Sequence, residues 1–359
     1  MELALYHPED GYYTRPGATT GRAGDFSTSS DVSPAFGRRL AVQAAEVWER
    51  LGGGPWRIVE LGPGRGLLAG DLLSAMAELA PKAYSRLEEM ILVEISPALA
   101  AEQRRRLEAA VPGARARWVR SLNDLPRESV DGVVVANEFL DALPVHVVVR
   151  RGAQLVERRV ALDDAGALAW IDGPPIGERL FARVERYGVC RRDGDVAEVC
   201  LALETVIAEI ARVLARGAAV FVDYGHPAAR LADEDHADGT LVAYHQHKVE
   251  LDVLARPGRQ DITAHVNWDH LSDAARDAGL VFAGRVTQDK FLLALGLIDD
   301  LAPPADARLE SPEALARRLA ARSLVLSGPG GGKRFEAALV VKEIGADLRG
   351  LSDPFATLG

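Results

Sequence analysis

The stretch Glu60-Leu61-Gly62-Pro63-Gly64-Arg65-Gly66 begins with the last two residues of a short apolar run, residues 57–61, and precedes a helical pattern over residues 67–79. Glycines allow a tight turn and close approach of a ligand to the backbone. Their spacing here is G-x-G-x-G. The dinucleotide fingerprint needs a glycine where Leu67 stands, and the G-K-[S/T] ending of a phosphate-binding loop is missing. The stretch therefore predicts a strand, a turn around a cofactor smaller than a dinucleotide, and a helix.

Strand and helix patterns alternate on both sides of this turn. A helix is predicted over 34–51, ending at a glycine run, and another starts at Ser96-Pro97 and ends near residue 110. Further helices are predicted over 196–215 and 268–278. The predicted strands are 57–61, 90–94, 117–119, 130–136, 218–222, 280–286 and 335–342. This alternation predicts an α/β fold with a doubly wound, parallel sheet.

Two stretches interrupt the alternation and suggest how the chain is divided. Residues 144–195 indicate an inserted hairpin, and the long loop of residues 225–267 is typical of a lid or binding loop. The predicted divisions are an N-terminal cap over the active site (1–55), the first half of a cofactor-binding Rossmann-like core (56–143), an inserted substrate-side subdomain (144–195), a core helix and strand (196–225), an active-site loop region (226–267), and a C-terminal part of the core with a helical insertion (268–359).

Composition excludes several classes of protein. The 359 residues carry 42 Lys and Arg against 52 Asp and Glu, a net charge of −10, so we expect no nucleic-acid partner. The two cysteines, Cys190 and Cys200, have no zinc-site or disulfide spacing and indicate a reducing compartment. No apolar run approaches the ~18–20 residues of a membrane span. Residues 1–13 lack the features of a leader, so a cytoplasmic location is predicted.

An acidic residue ends the second predicted strand. Glu94 stands where a carboxylate accepts two hydrogen bonds from vicinal ribose hydroxyls. Glu60 ends the first strand beside Gly62, Pro63, Gly64 and Gly66, where it would hold a cofactor amino group. Together these residues form the S-adenosylmethionine (SAM) methyltransferase pattern. Two alternatives remain open: a glycine turn without a ligand, and an NAD-dependent oxidoreductase.

Several longer strings resemble the MidA-like methyltransferases, whose mitochondrial members are complex I assembly factors. The matching segments are 4–8 with 11–13, 24–28 with 33–37, 60–66, 93–97, 136–144 (A-N-E-F-L-D-A-L-P), 223–225, 239–247, 261–266 (D-I-T-A-H-V) and 288–292. The resemblance covers residue 4 to about residue 296. It implies a class I SAM-dependent methyltransferase (EC 2.1.1.-). In the mitochondrial branch it implies an arginine side chain of a complex I core subunit as acceptor.

Methyl transfer to a protonated guanidinium needs acids that orient it and accept its charge. Ligands bind beyond the carboxyl ends of parallel strands. The fourth predicted strand ends there with Asn137, Glu138 and Asp141. Glu138 and Asp141 would share one face of a helix. We predict that these two acids receive the cationic acceptor and that Asn137 positions it or the cofactor. The alternative is that the acids cap a helix or pair with an arginine.

The remaining candidates lie in loops. Asp25 and Thr28 are predicted to contact the cofactor, or else to form an ordinary Asx-turn. Asp223 and Tyr224, after the fifth strand, are candidates for the wall of the acceptor site. His265 is expected to hold a loop or the acceptor. No metal site is predicted, because His245, His247 and His265 offer no recognisable ligand spacing.

Three functional hypotheses follow. The leading one is an enzyme that methylates protein arginine. A small-molecule O- or N-methyltransferase is the first alternative, and a client-binding assembly chaperone with structural SAM is the second. The acid pair and the long loops favour a protein substrate. The oligomeric state is open, with a homodimer among the options.

Overall fold

The computed structural model describes residues 1–15, 21, 24–303, 310–326 and 334–355. The glycine run at residues 328–332 lies outside them. The helices of this part of the chain are α1 (Glu2–Tyr6), α2 (Ser29–Val32), α3 (Ala35–Arg50), α4 (Leu67–Leu79), α5 (Pro81–Arg86), α6 (Pro97–Ala110), α7 (Glu178–Tyr187), α8 (Leu201–Val213), α9 (Ala228–Leu231), α10 (Trp268–Asp277), α11 (Gln288–Ala294), α12 (Ile298–Leu301) and α13 (Pro312–Ser323). None of these helices has the length and apolar character needed to cross a membrane.

Buried apolar runs form the strands of the central sheet, with order β14-β15-β9-β4-β1-β2-β3 and β13 beside β9. The strands are β1 (Trp56–Leu61), β2 (Leu87–Val93), β3 (Ala116–Val119), β4 (Val130–Asn137), β5 (His146–Arg151), β6 (Gln154–Leu162), β7 (Leu168–Pro175), β8 (Val196–Val199), β9 (Leu214–His226), β10 (Val242–His245), β11 (Lys248–Glu250), β12 (Asp261–Thr263), β13 (Val266–Asn267), β14 (Val281–Thr287) and β15 (Phe335–Lys342). Only the central sheet belongs to the Rossmann-like core.

Helices cover both faces of the central sheet, as predicted. α3 and α4 pack on one face around Phe36, Leu72 and Ile58, and α8 and α10 pack on the other around Ile207 and Leu271. The all-parallel expectation is corrected at one edge, because β15 is antiparallel to both β9 and β14. Strand–helix alternation does not predict the direction of a strand that follows a connection as long as residues 288–334.

The insertion after β4 is larger than the predicted hairpin. Its sheet has the order β7-β6-β5-β8. The helix predicted over 196–215 is wrong at both ends. Val196–Val199 is a strand that pairs antiparallel with β5, and Leu214 already belongs to β9. Val196, Ala197 and Val199 are buried in this sheet. Tertiary pairing therefore overrides the helical pattern there.

The N-terminal segment and the region predicted as a long loop pack together. Residues 242–263 contain a three-stranded sheet, β11-β10-β12. This sheet contacts the N-terminal segment through a core of Leu5, Tyr12, Ala243 and Ile262. The region predicted as a long loop therefore contains an ordered sheet, and this sheet together with the N-terminal segment is called the cap below. The cap lies beside the carboxyl end of β4, where the Tyr6 hydroxyl donates a 2.8 Å hydrogen bond to the carbonyl of Ala142.

Candidate active site

A cavity of about 390 Å³ opens at the carboxyl ends of β1, β2 and β4. This size is in the range of small-molecule sites. Its wall includes Glu60, Gly62, Pro63, Gly64 and Glu94 of the predicted cofactor residues. These five residues thus lie together in the wall of one cavity, called the cofactor cavity below.

The glycine turn is built for close approach to a ligand. Gly62 and Gly64 have φ of +60° and +52°, which side chains rarely tolerate. A Cβ on Gly62 would lie 2.8 Å from the Phe139 ring, whereas one on Gly64 would meet no protein atom within 4 Å. The predicted cofactor residue Gly66 does not line the cavity. It is the N-cap of α4 and packs against Gln103.

Glu94 is held with both carboxylate oxygens oriented. Oε1 accepts a 2.7 Å hydrogen bond from the Ser96 backbone N–H, and Oε2 accepts a 2.9 Å bond from the Gln103 amide. Each oxygen keeps a second lone pair for a ribose hydroxyl. Gln103 also donates to the carbonyl of Gly64 at 2.7 Å. Sequence reasoning missed Gln103. Its signal is a polar residue in phase with Leu99, Ala100 and Leu107 on the buried face of α6.

Glu60 has an unsatisfied oxygen in the cofactor cavity. Its Oε2 is buried and has no hydrogen-bond partner among the described residues. Burial, and then the charge of Glu94, raise the pKa of Glu60 to about 8. An unpaired buried carboxyl group is costly unless a ligand satisfies it. A positively charged amino group would do so, which supports the role predicted for Glu60.

A second cavity, of about 630 Å³ and called the acceptor cavity below, lies beneath the cap. Acids and tyrosines dominate its wall. The acids are Asp25, Glu138, Asp141, Asp261 and Glu336, and the tyrosines are Tyr13, Tyr224 and Tyr244. Arg334 is a cation in the same wall. Among the described lining residues, five carboxyl groups against one guanidinium make this cavity suited to a positively charged group.

Glu138 lines both cavities. Its Oε1 accepts hydrogen bonds from the Ser29 backbone N–H at 2.9 Å and from the Asn137 amide at 3.3 Å. Burial raises the pKa of Glu138 to about 8, and the charge of Asp141 contributes, although the two hydrogen bonds act in the opposite direction. A carboxyl group with a pKa near neutral pH thus stands at the border between the two cavities.

Glu138 and Asp141 do not share a helical face as predicted. The segment after β4 is a turn, and Glu138 has a φ of +49°. This conformation is uncommon outside glycine and is typical of functional sites. The turn nevertheless directs both acids into the acceptor cavity. Asn137 lines the cofactor cavity, where its buried Oδ1 has no partner among the described residues.

Two tyrosines hold the other acids. The Tyr224 hydroxyl donates to Asp141 Oδ2, and the Tyr13 hydroxyl donates to Asp261 Oδ1 at 2.7 Å. Burial raises the pKa of Asp141 to about 6 and that of Asp261 to about 8. Sequence reasoning did not assign Tyr13 or Asp261 to the site. Both lie in strings quoted above, but only the cap brings them together.

Two predicted roles are corrected. Asp223 was predicted to line the acceptor wall, yet it is fully buried, and its Oδ2 accepts the backbone N–H groups of Phe139 and Leu140. It holds the turn that carries Glu138. Asp25 was predicted to contact the cofactor, but it lines the acceptor cavity, where Tyr12 and the Gln246 backbone N–H donate to it.

The other loop candidates lie at these cavities. Thr28 lines the cofactor cavity and is the N-cap of α2. Asp31 of α2 forms a 3.0 Å ion pair with Arg65, which ties the N-terminal segment to the glycine turn. His265 lines the acceptor cavity, and burial lowers its pKa to about 4, so that its ring is neutral.

Comparison with known proteins gives a consistent result. A family model described as "Putative S-adenosyl-L-methionine-dependent methyltransferase" matches residues 39–286. A solved structure from Burkholderia thailandensis, bound to S-adenosyl-homocysteine, is 35% identical, with a TM-score of 0.87 over 99% of this chain and 88% of that one. The mitochondrial protein arginine methyltransferase NDUFAF7 homolog of Caenorhabditis elegans is 31% identical over 83% of this chain and 72% of its own. Human NDUFAF7, with the same enzyme name, is 29% identical over 83% and 69%.

These relatives overturn one prediction. The cytoplasmic location is wrong, because the curated relatives from worm to human are named mitochondrial. The prediction rested on the composition of residues 1–13 and on the two cysteines. Cysteine content reports a reducing environment without identifying the compartment that provides it.

Proposed function

This chain belongs to the S-adenosyl-L-methionine-dependent methyltransferase family whose model it matches, and we propose that its methyl acceptor is an arginine guanidinium in a protein. The chain is an enzyme, and SAM is its cofactor. One observation carries the proposal: Glu138 lines both the cofactor cavity and the acid-rich acceptor cavity. The group that receives the methyl and the group that gives it would therefore meet at this carboxyl.

Each cofactor-side residue has a role that follows from its contacts. Glu94, oriented by Ser96 and Gln103, would accept the two ribose hydroxyls. The unsatisfied oxygen of Glu60 would accept the amino group. The bound cofactor supplies an electrophilic methyl on a sulfonium. Asn137, whose Oδ1 lacks a partner, would orient the ligand at the end of β4.

The acceptor side must position a cation and remove a proton. The guanidinium nitrogen forms the new N–C bond as the methyl–sulfur bond breaks, and the nitrogen then carries one proton too many. A bound guanidinium would lower the raised pKa of Glu138, so that its carboxylate form is placed to accept that proton. Asp141 and Asp261, held by Tyr224 and Tyr13, would bind the remaining N–H donors. A planar guanidinium with five donors suits several carboxylates at once.

The relatives support the same acceptor. The worm and human proteins carry the name protein arginine methyltransferase. The family resemblance adds a client to test, a core subunit of respiratory complex I. A wide acceptor cavity, roofed by the cap rather than enclosed by the core, is compatible with a side chain that enters from a protein surface.

Labelled SAM and a lysate from a strain lacking this protein provide the test. We expect the full chain to label a protein, and mass spectrometry of the labelled species to show methylarginine. Gly64→Val should abolish labelling, because a side chain at this position in the cavity wall would occupy space that the cofactor needs. Gly113→Val is the matched control, with a φ of +74° and open space but no place in that wall.

The same experiment separates the alternatives. Label in a small molecule instead of a protein would support a small-molecule methyltransferase. A client that co-purifies with the chain but gains no methyl group would support the assembly chaperone with structural SAM. Either outcome would overturn the arginine proposal.

A further inference from the structure

Three histidines meet where the central sheet, the cap and the insertion adjoin. His226 is the last residue of β9, His265 precedes β13, and His236 ends a short 3-10 helix, Glu234–His236. Their spacings of 10 and 29 residues in the sequence match no metal motif. The trio is also different from the set considered in the sequence, since only His265 belongs to both.

The backbone around the trio is fixed by regular pairing. β13 pairs parallel with β9, so that Val266 lies opposite Gly225 and Asn267 opposite His226. The 3-10 helix is attached to the insertion, because the Val196 backbone N–H donates a 2.7 Å bond to the carbonyl of Ala237. The three rings are therefore presented from separate, anchored segments and not from one mobile loop.

The rings form a compact cluster. The centroid distances are 5.0 Å for His226–His236, 5.1 Å for His226–His265 and 6.1 Å for His236–His265. One ring nitrogen from each residue lies within 4.8 Å of the other two. Ligand nitrogens around a tetrahedral zinc ion are about 3.4 Å apart, given Zn–N bonds of 2.0–2.1 Å. Small side-chain rotations would bring the three nitrogens to that spacing.

The ring nitrogens lack other partners. Nδ1 of His236 and Nδ1 of His265 are buried without a hydrogen-bond partner among the described residues. No ring nitrogen of the trio has a side-chain or backbone acceptor or a carboxylate within ion-pair distance in that part of the chain. Buried polar atoms are almost always satisfied, so an unobserved ligand is the expected solution. Three imidazoles without an acid are the donor set that zinc, nickel and copper prefer.

We propose that His226, His236 and His265 bind one divalent transition-metal ion, with zinc as the leading candidate. The ion would tie the end of β9 to the segment before β13 and to the 3-10 helix. His226 and His265 line the acceptor cavity, so the ion would fix one wall of that cavity. The proposal is independent of which acceptor the enzyme methylates.

Cobalt titration of the chelator-treated full chain tests the site directly, because bound Co²⁺ reports its ligand field in the visible spectrum. We expect one Co²⁺ per chain, displaced by Zn²⁺, and a higher thermal midpoint with either ion. His226→Ala, His236→Ala and His265→Ala should each weaken binding at least about 10-fold. His247→Asn is the matched control, an exposed histidine of the same region outside the trio, and should bind normally.

Two results would overturn the proposal. One is no binding above that of a chain in which all three histidines are replaced by glutamine. The other is stoichiometric binding that the single variants leave unchanged, which would place the ion elsewhere. SAM binding by each variant shows that it is folded. If one alanine variant fails this check, the corresponding glutamine variant, which keeps a polar side chain, takes its place.

Discussion

The cofactor cavity and the acceptor cavity are both acidic, but they are built in different ways. The cofactor cavity takes its acids from the ends of adjacent strands, and Glu94 is satisfied by Ser96 and Gln103 nearby in the sequence. The acceptor cavity takes its acids from segments far apart in the chain, and Tyr13 and Tyr224 hold two of them across 248 and 83 residues. A local motif thus builds the cavity assigned to SAM, whereas long-range packing builds the cavity assigned to the acceptor.

The same contrast appears in the electrostatics. On the acceptor side burial raises the pKa of Glu138, Asp141 and Asp261, and the charge of Asp141 adds to the effect on Glu138 and Asp261. A cavity of mutually repelling acids is stabilised by a cation. On the cofactor side, among the described residues, the buried Oε2 of Glu60 has no hydrogen-bond partner, and one positively charged group would satisfy it. Substitution of a single acid is therefore expected to reduce methyl transfer on the acceptor side and SAM binding on the cofactor side.

The largest effect is expected from Glu138→Gln. The amide cannot accept the proton of the guanidinium, so methyl transfer should fall by about 10²–10⁴-fold. SAM affinity should change only a few-fold, since Glu60 and Glu94 remain. Single-turnover kinetics and calorimetry measure the two quantities separately. Glu198→Gln is the matched control, a half-buried glutamate that lines neither cavity. Retained turnover in Glu138→Gln would remove this residue from the mechanism.

Glu94→Gln should produce the opposite pattern. Loss of a charged acceptor for the ribose should weaken SAM binding by about 10- to 100-fold, at ~1.5–3 kcal/mol for hydrogen bonds to a charged group. The rate at saturating SAM should stay near that of the unmodified chain. Calorimetric titration gives the affinity, with Glu108→Gln on the exposed face of α6 as control. An unchanged affinity would contradict the ribose assignment.

A smaller effect is expected in the pH dependence of SAM binding. The pKa of Glu60 is about 8 in the free enzyme, so this carboxyl is mostly protonated at pH 7. A bound amino cation lowers that pKa, so binding should release a proton and tighten by up to about tenfold per pH unit between pH 6 and 8. Calorimetry in buffers of different ionisation enthalpy measures how many protons are released when SAM binds. Glu60→Gln should remove most of this release, and a pH-independent affinity in the unmodified chain would contradict the role of Glu60.

The smallest effect concerns stability. Glu138 and Asp261, with a pKa of about 8 each, and Asp141, with about 6, bind protons more tightly when folded than when unfolded. The free energy of unfolding should therefore decrease as the pH rises from about 5 to 8. Thermal midpoints over this range measure the slope. Asp261→Asn should flatten it, whereas Asp172→Asn, an exposed acid of the insertion, should not. A midpoint that rises with pH would contradict the acidic cluster.

The difference between the two cavities also explains which parts of the site can be predicted from the sequence. The turn at Gly62–Gly66, Glu94 and the α6 cap at Ser96 depend on local rules. The structure places Glu60, Glu94 and three of the four predicted turn residues in the wall of the cofactor cavity. Asp261 and Tyr13 reach the acceptor cavity only because β12 packs on the N-terminal segment. Asp223 was assigned to the acceptor wall but holds the turn after β4, and Asp25 was assigned to the cofactor but lines the acceptor cavity. Sequence position does not tell whether a carboxylate faces a ligand or backbone N–H groups, or which cavity a loop reaches.

A crystal structure of the full chain with SAM would test the central claim most directly. The account predicts that the ribose hydroxyls contact Glu94, the amino group contacts Glu60, and the methyl points at Glu138 where the two cavities meet. A methyl directed away from Glu138, or a ribose bound elsewhere, would contradict it.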